Sequence, residues 1–352
     1  MKSVLLVEAP FYAFFKYDFW NYAFSCSYLA GILKQAGHKA YIYDADKYFE
    51  KDLATRQRLV MIERQEEARQ ELYNYDNPIW KHFASTIADL KPDCIIFSTW
   101  TFKNHSIRNA ITIAKDTLPQ CKIAVGGYHV TALPNSFDDM PQVNGVLIGP
   151  AENTLIQWIN DNCPSKKYIE QPTSSVLKMH ITPDRDAFLY KEHFLDTAFC
   201  MTVLSRGCYS NCSFCCNELL TARRHVFATD DFINKEICTI KEVYNQNNLS
   251  FADAHFFTSK NMIRMLNMIK RYDITWTCAL RVDSLTPEFV DLLVESGCNA
   301  VFCGLERGRN DLLQNINKKI TLDQIRYASD LLTSRGIALT CSFVVGFPDE
   351  DE

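Results

Sequence analysis

Short apolar runs separated by helix-length amphipathic segments recur along almost the whole sequence, and this alternation limits the fold more than any other feature. In the first half the runs are Val4–Val7, Ala40–Tyr43, Cys94–Phe97, Lys122–Val125 and Gly145–Ile148, with helical spacing over Tyr22–Gln35 that Gly37 stops. In the second half they are Met201–Leu204, Leu249–Phe251, Thr275–Ala279, Ala300–Cys303 and Ala338–Val345. Helical patterns near Asp231–Tyr244, Lys260–Arg271, Pro287–Glu295 and Leu322–Arg335 lie between them. A parallel strand pair needs a crossover long enough to hold a helix, so strict alternation predicts parallel sheets covered by helices. The expected class is α/β: a doubly wound, Rossmann-like unit followed by an incomplete or full (β/α) barrel.

A chain of 352 residues with 47% hydrophobic content exceeds what one core usually organises. Pro164, Pro172 and Pro183 interrupt the pattern where one domain hands over to the next. The expected division is 1–162, a linker over 163–196, and 197–352. Between Asp46 and Lys91 sits an insert whose stretch Glu50–Tyr73 is rich in Glu, Arg and Gln, predicting a solvated helix that ends before Pro78. The net charge of -5 and the lack of a basic patch speak against nucleic acid and favour a small-molecule or peptidic substrate. No apolar run approaches the roughly 18 residues a membrane span needs, and Glu8 arrives before a secretory core could form, so a cytoplasmic setting is expected. Fourteen cysteines scattered among apolar segments then read mostly as reduced core residues.

One group of cysteines is different. Ser205-Arg206-Gly207-Cys208-Tyr209-Ser210-Asn211-Cys212-Ser213-Phe214-Cys215 follows a predicted strand and puts three thiols on one loop at its C-terminal end, where barrel active sites lie. The spacing lets Cys208, Cys212 and Cys215 bind three irons of a 4Fe-4S cluster and leaves the fourth iron open. Cys216 reads as a bystander, since adjacent residues rarely reach two corners of one cluster. The other readings are an incomplete zinc site or core thiols, although a structural zinc site would want a second close ligand pair.

The three-cysteine spacing, with an aromatic before the last cysteine and Arg-Gly-Cys before the loop, resembles the signature of the radical S-adenosylmethionine superfamily. The resemblance implies that the methionyl part of S-adenosylmethionine binds the open iron and that Phe214 packs near the adenine, the other reading being a core aromatic beneath the loop. Tyr209 stands where relatives often carry proline. Phe251-Ala252-Asp253-Ala254-His255-Phe256 resembles the family's second-strand motif, with Ala254 in place of an acid. It implies Asp253 as a ligand for the cofactor ammonium, against a capping role. Trp276, Arg281, Asp283 and Gly304-Leu305-Glu306-Arg307-Gly308 resemble later strand endings, implying that Glu306 hydrogen-bonds the ribose or the amino-acid portion. Arg281 and Asp283 read equally well as a salt bridge on the barrel rim. Val345-Gly346-Phe347-Pro348 resembles the fifth-strand ending, so the barrel is expected to be incomplete at Glu352.

In a doubly wound sheet ligands bind beyond the carboxyl ends of the strands. The loops there carry Ser98-Thr99, Gly126-Gly127-Tyr128-His129 and Gly149-Pro150-Ala151-Glu152. Their order resembles the cobalamin-binding domain that precedes many radical S-adenosylmethionine domains. The resemblance implies Ser98, Thr99, Gly126, Gly127, His129, Gly149 and Glu152 as cobalamin-binding residues, with His129 otherwise a turn residue. The Asp-x-His-x-x-Gly signature of a lower axial histidine is absent from residues 1–160. Together the resemblances imply an enzyme using a 4Fe-4S cluster, S-adenosylmethionine and cobalamin, with flavodoxin or ferredoxin as electron donor, to methylate an unactivated carbon. Oxidative cyclisation, rearrangement or other oxidoreductase chemistry without methyl transfer is the alternative, and a non-catalytic iron-sulfur or cobalamin carrier is the reading of another class.

Overall fold

Val4, Leu5, Leu6 and Val7 have no alternating polar partner, the pattern of a strand covered on both faces, and β1 (Ser3–Glu8) runs through the middle of a sheet. The computed structural model of the chain describes residues 1–17, 22–47, 59–191, 198–257 and 259–350. β2 (Lys39–Asp44), β3 (Cys94–Ser98), β4 (Lys122–Gly126), β5 (Gly145–Ile148) and β6 (Lys166–Ile169) join β1 in the order β2-β1-β3-β4-β5-β6. Every pairing is parallel. The winding reverses between β1 and β3, which opens a crevice at their carboxyl ends.

Helix Pro78–Leu90 illustrates how the covering layer is specified. Asn77 caps it by accepting from the Ile79 N–H at 2.8 Å, Pro78 takes the first turn, where no donor is lost, and Ile79, Trp80, Phe83 and Ile87 form the buried stripe. That stripe meets Leu5, Val7, Phe97, Ile123 and Val125 of the sheet in one core, where each fully buried aliphatic side chain contributes about 1.5–3 kcal/mol. Pro78 therefore starts a helix. The helix expected over Glu50–Tyr73 is present as Val60–Glu63 and Gln65–Tyr73, while its residues 50–58 lie outside the described residues.

The chain divides into two compact units, the first of residues 1–172 and 181–199, the second of 173–180 and 200–352. β6 lies within the stretch read from sequence as a linker and completes the first unit's sheet. Part of that stretch, 192–197, lies outside the described residues.

In the second unit β7 (Met201–Thr202) is followed by an antiparallel pair, β8 (Ser205–Gly207) and β9 (His225–Phe227). β10 (Asn248–Phe256), β11 (Thr275–Leu280), β12 (Cys298–Glu306) and β13 (Ala338–Phe343) then build a parallel sheet in the order β13-β12-β11-β10-β7. The strands step in one direction with no reversal, as in a (β/α) barrel, and helices connect them on one face. Helix Lys260–Ile269 is capped by Ser259 and buries Met262, Met265, Leu266 and Ile269; helix Leu322–Thr333 begins with a capping box between Thr321 and Gln324. The opposite face is left with Ala252, Ala254 and Phe302 exposed. Among the described residues no helix is long and apolar enough to cross a membrane.

Candidate functional site

Fourteen thiols divide by exposure. Cys94, Cys121, Cys278 and Cys303 are buried in the two cores, whereas Cys208 and Cys212 are half-buried and Cys215 and Cys216 exposed. The loop after β8 is held in shape from several sides. The Cys215 N–H donates to the Cys212 carbonyl at 3.1 Å, closing a turn that makes these two neighbours. Ser213 N–H donates to the Ile316 carbonyl at 3.0 Å, and the Asn317 amide donates to the Asn211 carbonyl at 3.0 Å. Two sulfurs already receive donors: Ser210 N–H reaches Cys208 Sγ at 3.4 Å, and Arg281 Nη1 reaches Cys212 Sγ at 3.5 Å. Donors aimed at sulfur stabilise thiolate charge and tune a cluster, so this donor set fits an iron-sulfur group. Among the described residues no three His, Cys, Asp or Glu side chains converge as on a single metal ion. Thiolates on three irons of a cubane stand farther apart than the ligands of one ion, so the lack of such a convergence does not count against a cluster on this loop.

Arg281 links this loop to the strand ends. It forms a two-point salt bridge with Asp283, at 3.0 and 2.8 Å, and donates to the Lys318 carbonyl at 2.5 Å. Lys318 Nζ in turn pairs with Glu306 at 2.9 Å and lies 5.8 Å from the centre of the Phe214 ring. Glu306 is therefore buried and ion-paired, not solvated. It has φ 67°, and a Cβ on Gly304 would fall 2.2 Å from its carboxylate, so the glycine makes room for the pair. Phe214 is 40% exposed, which removes the core-aromatic reading, and meets Phe347 edge-on at 6.0 Å. The structure thus brings Cys212, Phe214, Glu306, Arg281 and Lys318 into one connected set.

Asp253 is placed differently. Its carboxylate accepts from the Leu204 N–H at 2.9 Å and from the Ser205 hydroxyl, while Ser205 also meets His225 Nε2 at 3.0 Å. Burial pushes the Asp253 carboxyl up to about 7 against the hydrogen bonds it accepts from Ser205 and Leu204. These bonds anchor the strand leading into the cysteine loop. Ser205, His225 and Lys318 were not singled out in the sequence; no spacing rule joins them, because their partners come from other strands.

In the first unit the strand-end loops pack on one another. Thr99 N–H and its hydroxyl both donate to the Gly126 carbonyl, at 2.7 and 2.9 Å, and the His129 N–H donates to the Thr99 carbonyl at 3.1 Å. Gly127 has φ 120°, and a Cβ there would lie 3.0 Å from the Thr99 backbone. The glycine serves the approach of Thr99. Gly149 has φ 93° and gives its space to the Glu170 carbonyl, 2.2 Å from where a Cβ would sit. Glu170 also accepts from the Asn153 N–H at 2.9 Å, capping the helix that Glu152 begins; Glu152 itself is buried. His129 is buried, with Nδ1 3.1 Å from the Thr101 hydroxyl, and burial together with Arg108 lowers its pKa. Ser98 is half-buried at the end of β3.

What these loops present outward is aromatic. Trp100 and Phe102 after β3 are 36% and 48% exposed, with Phe11 and Tyr12 after β1 and Tyr128 after β4 half-buried beside them. Trp100 lies 5.0 Å from Tyr128 at 31°, and Phe11 lies 4.8 Å from Phe102. A rim of rings at the crevice of a doubly wound sheet suits a broad, flat, largely apolar ligand face such as that of a corrin.

The molecule is thus a two-unit α/β protein, with a ligand rim on a doubly wound sheet and a three-thiol loop on a partial barrel. Residues 17–158 match the B12 binding domain and residues 202–352 the radical SAM superfamily, so the chain joins a B12-binding domain to a radical S-adenosylmethionine domain. It is similar to an uncharacterized methyltransferase of Pyrococcus horikoshii, 25% identical over 76% of this chain and 63% of the relative. It is also similar to the anaerobic magnesium-protoporphyrin IX monomethyl ester cyclase of Rubrivivax gelatinosus, 23% identical over 75% of this chain and 53% of the relative. The chain thus spans less than two thirds of either relative. The fold matches that of the radical S-adenosylmethionine methyltransferase TsrM from Kitasatospora setae with a TM-score of 0.71 at 16% identity, over 99% of this chain and 69% of that one.

Proposed function

We propose that the protein acts as a cobalamin-dependent radical S-adenosylmethionine methyltransferase on an unactivated carbon of a small-molecule or peptidic substrate. The observation that carries this reading is the half-exposed Cys208/Cys212/Cys215 loop, with hydrogen-bond donors already directed at its sulfurs, in one chain with a B12-binding domain. When bound, the 4Fe-4S cluster supplies the electron that cleaves S-adenosylmethionine to a 5'-deoxyadenosyl radical, and cobalamin carries the methyl group. The three thiols hold three irons, while Ser210 N–H and Arg281 offset charge on two of the sulfurs. Phe214 offers an exposed ring to the adenine. The Glu306–Lys318 pair offers a hydrogen-bonding group to the ribose or amino-acid portion. Asp253 acts through Leu204 and Ser205 to fix the loop's approach.

On the first unit the loops of Ser98, Thr99, Gly126, Gly127, His129, Gly149 and Glu152 support the rim that faces the corrin. Residues 1–160 carry no Asp-x-His-x-x-Gly motif and His129 is buried with its Nδ1 at the Thr101 hydroxyl, so it is read as a supporting residue, and cob(II)alamin bound here should show no nitrogen hyperfine coupling from a protein imidazole in its EPR spectrum. Flavodoxin or ferredoxin in the cytoplasm fits the need for an external low-potential electron.

Anaerobic reconstitution of the full-length protein with S-adenosylmethionine, with and without cobalamin, tests the reading by product mass spectrometry. The expected result is 5'-deoxyadenosine and S-adenosylhomocysteine in near-equal amounts per methylated product. Formation of 5'-deoxyadenosine without S-adenosylhomocysteine on the true substrate would instead favour chemistry without methyl transfer, such as oxidative cyclisation; the Rubrivivax relative is named a cyclase.

A further inference from the structure

The crevice between β1 and β3 is filled from beneath by charge. Lys103 is 3% exposed, and its Nζ lies 2.7 Å from Glu8, 2.7 Å from Asp46 and 3.0 Å from the Ala9 carbonyl, so all three of its donors are used. The other oxygen of Asp46 accepts from the Phe11 N–H at 2.6 Å and the Ala13 N–H at 3.1 Å. Ser106 adds a bond from its hydroxyl to the Pro10 carbonyl at 2.5 Å. Glu8 ends β1, Asp46 follows β2, and Lys103 and Ser106 follow β3, so four side chains tie three loops together.

A lysine and two carboxylates are costly to bury, and well-packed apolar residues would usually serve stability as well or better. Their bonds instead run into the backbone that carries the rim: Ala9, Phe11 and Ala13 are all in the loop after β1, and Lys103 adjoins Phe102. The Lys103 ammonium also lies 5.7 Å from the centre of the Tyr12 ring. A bound flat ligand needs Phe11, Tyr12 and Phe102 in one fixed orientation, and ordering these loops only on binding would cost affinity.

We infer that Lys103 and Asp46 are positioning residues for the ligand of the aromatic rim: their buried ion pair holds the loops after β1 and β3 in the form that binds it. This rests on the reading of that ligand as cobalamin. It assigns the pair no contact with the ligand.

The test is equilibrium dialysis of hydroxocobalamin against the full-length, cluster-reconstituted protein, with thermal midpoint and iron content measured alongside. Asp46→Asn keeps shape but weakens the tie to Lys103, and a loss of about tenfold in affinity is expected, with iron content unchanged. Ser106→Ala removes only the bond to Pro10 and should cost roughly threefold, which keeps the test informative if Asp46→Asn fails to fold. Ile111→Val, a core truncation in the same unit, should lower the thermal midpoint and leave affinity alone. If Asp46→Asn and Ser106→Ala lose no more affinity than Ile111→Val, the pair is merely structural and the inference is overturned. If the unmodified protein takes up its cluster but no cobalamin, the reading of the rim falls and this inference with it.

Discussion

The two units offer their ligands opposite kinds of surface. On the doubly wound unit the polar groups are turned inward: Thr99, His129, Glu170 and the Lys103–Asp46 pair are buried in bonds between loops, and rings face out. On the partial barrel the chemistry faces outward, in half-exposed thiols and an exposed Phe214, held by contacts from Arg281, Ile316 and Asn317. A large flat cofactor is gripped by shape, so its site is built from rigid loops beneath an apolar face. A cluster is gripped by covalent ligands, so its loop must leave sulfurs accessible until the irons arrive.

The largest effects should separate the units completely. Cys208→Ala, Cys212→Ala or Cys215→Ala should each abolish iron and sulfide uptake while leaving cobalamin binding to the other unit intact, because each removes one of three irreplaceable ligands. Cys216→Ala should retain the full iron content. Equal iron loss in the Cys216 variant would break the assignment of ligands.

Next in size is a backbone effect in the first unit. Gly149→Ala combines φ 93° with a Cβ 2.2 Å from the Glu170 carbonyl, and should cost about 2–4 kcal/mol through strain and overpacking. Gly37→Ala has a positive φ of 80° but nothing within 4 Å, and should cost only about 1 kcal/mol. Chemical denaturation of the two variants sharpens the contrast between a glycine that fits a packed loop and one that merely ends a helix. Similar losses for both would show that the loops beneath the rim yield easily.

These contrasts also show where sequence stops being informative. Period and punctuation make the buried strands legible, since β1 and β3 are continuous apolar runs, and the cysteine spacing marks its loop directly. β6 was read as linker because Lys166-Lys167-Tyr168-Ile169 is an edge strand, half-charged and exposed at three of four positions, and carries no buried period. β8 and β9 are three residues each, too short for any pattern. Glu8, Asp46 and Lys103 look in sequence like ordinary surface charges, and only the winding of the sheet brings them together. Ala252, Asp253 and Ala254 show the same limit, because alternation predicts that Asp253 faces away from its neighbours without saying which face is the open one.

The smallest effect expected concerns protonation beneath the rim. Asp44 lies at the end of β2, buried, and burial together with the nearby Asp46 and Glu8 raises its carboxyl to about 7, against the opposing pull of Lys47 and Lys103. In the unfolded chain the same group titrates near 3.8. The folded state therefore keeps its proton where the unfolded state has lost it, so the stability of the first unit should fall as pH rises from about 4 to about 7 and then level off. The loss is confined to that window and ends once the folded carboxyl has ionised. Asn cannot ionise, so Asp44→Asn should flatten the profile and leave the unit slightly more stable than the unmodified protein at pH 8. Amide hydrogen exchange of peptides from β1 and β2, corrected for intrinsic rates, reads this unit alone. The second unit's iron content should not follow Asp44 at all. A profile for Asp44→Asn that keeps the full slope would place the titrating group elsewhere and remove Asp44 from the charge cluster under the rim.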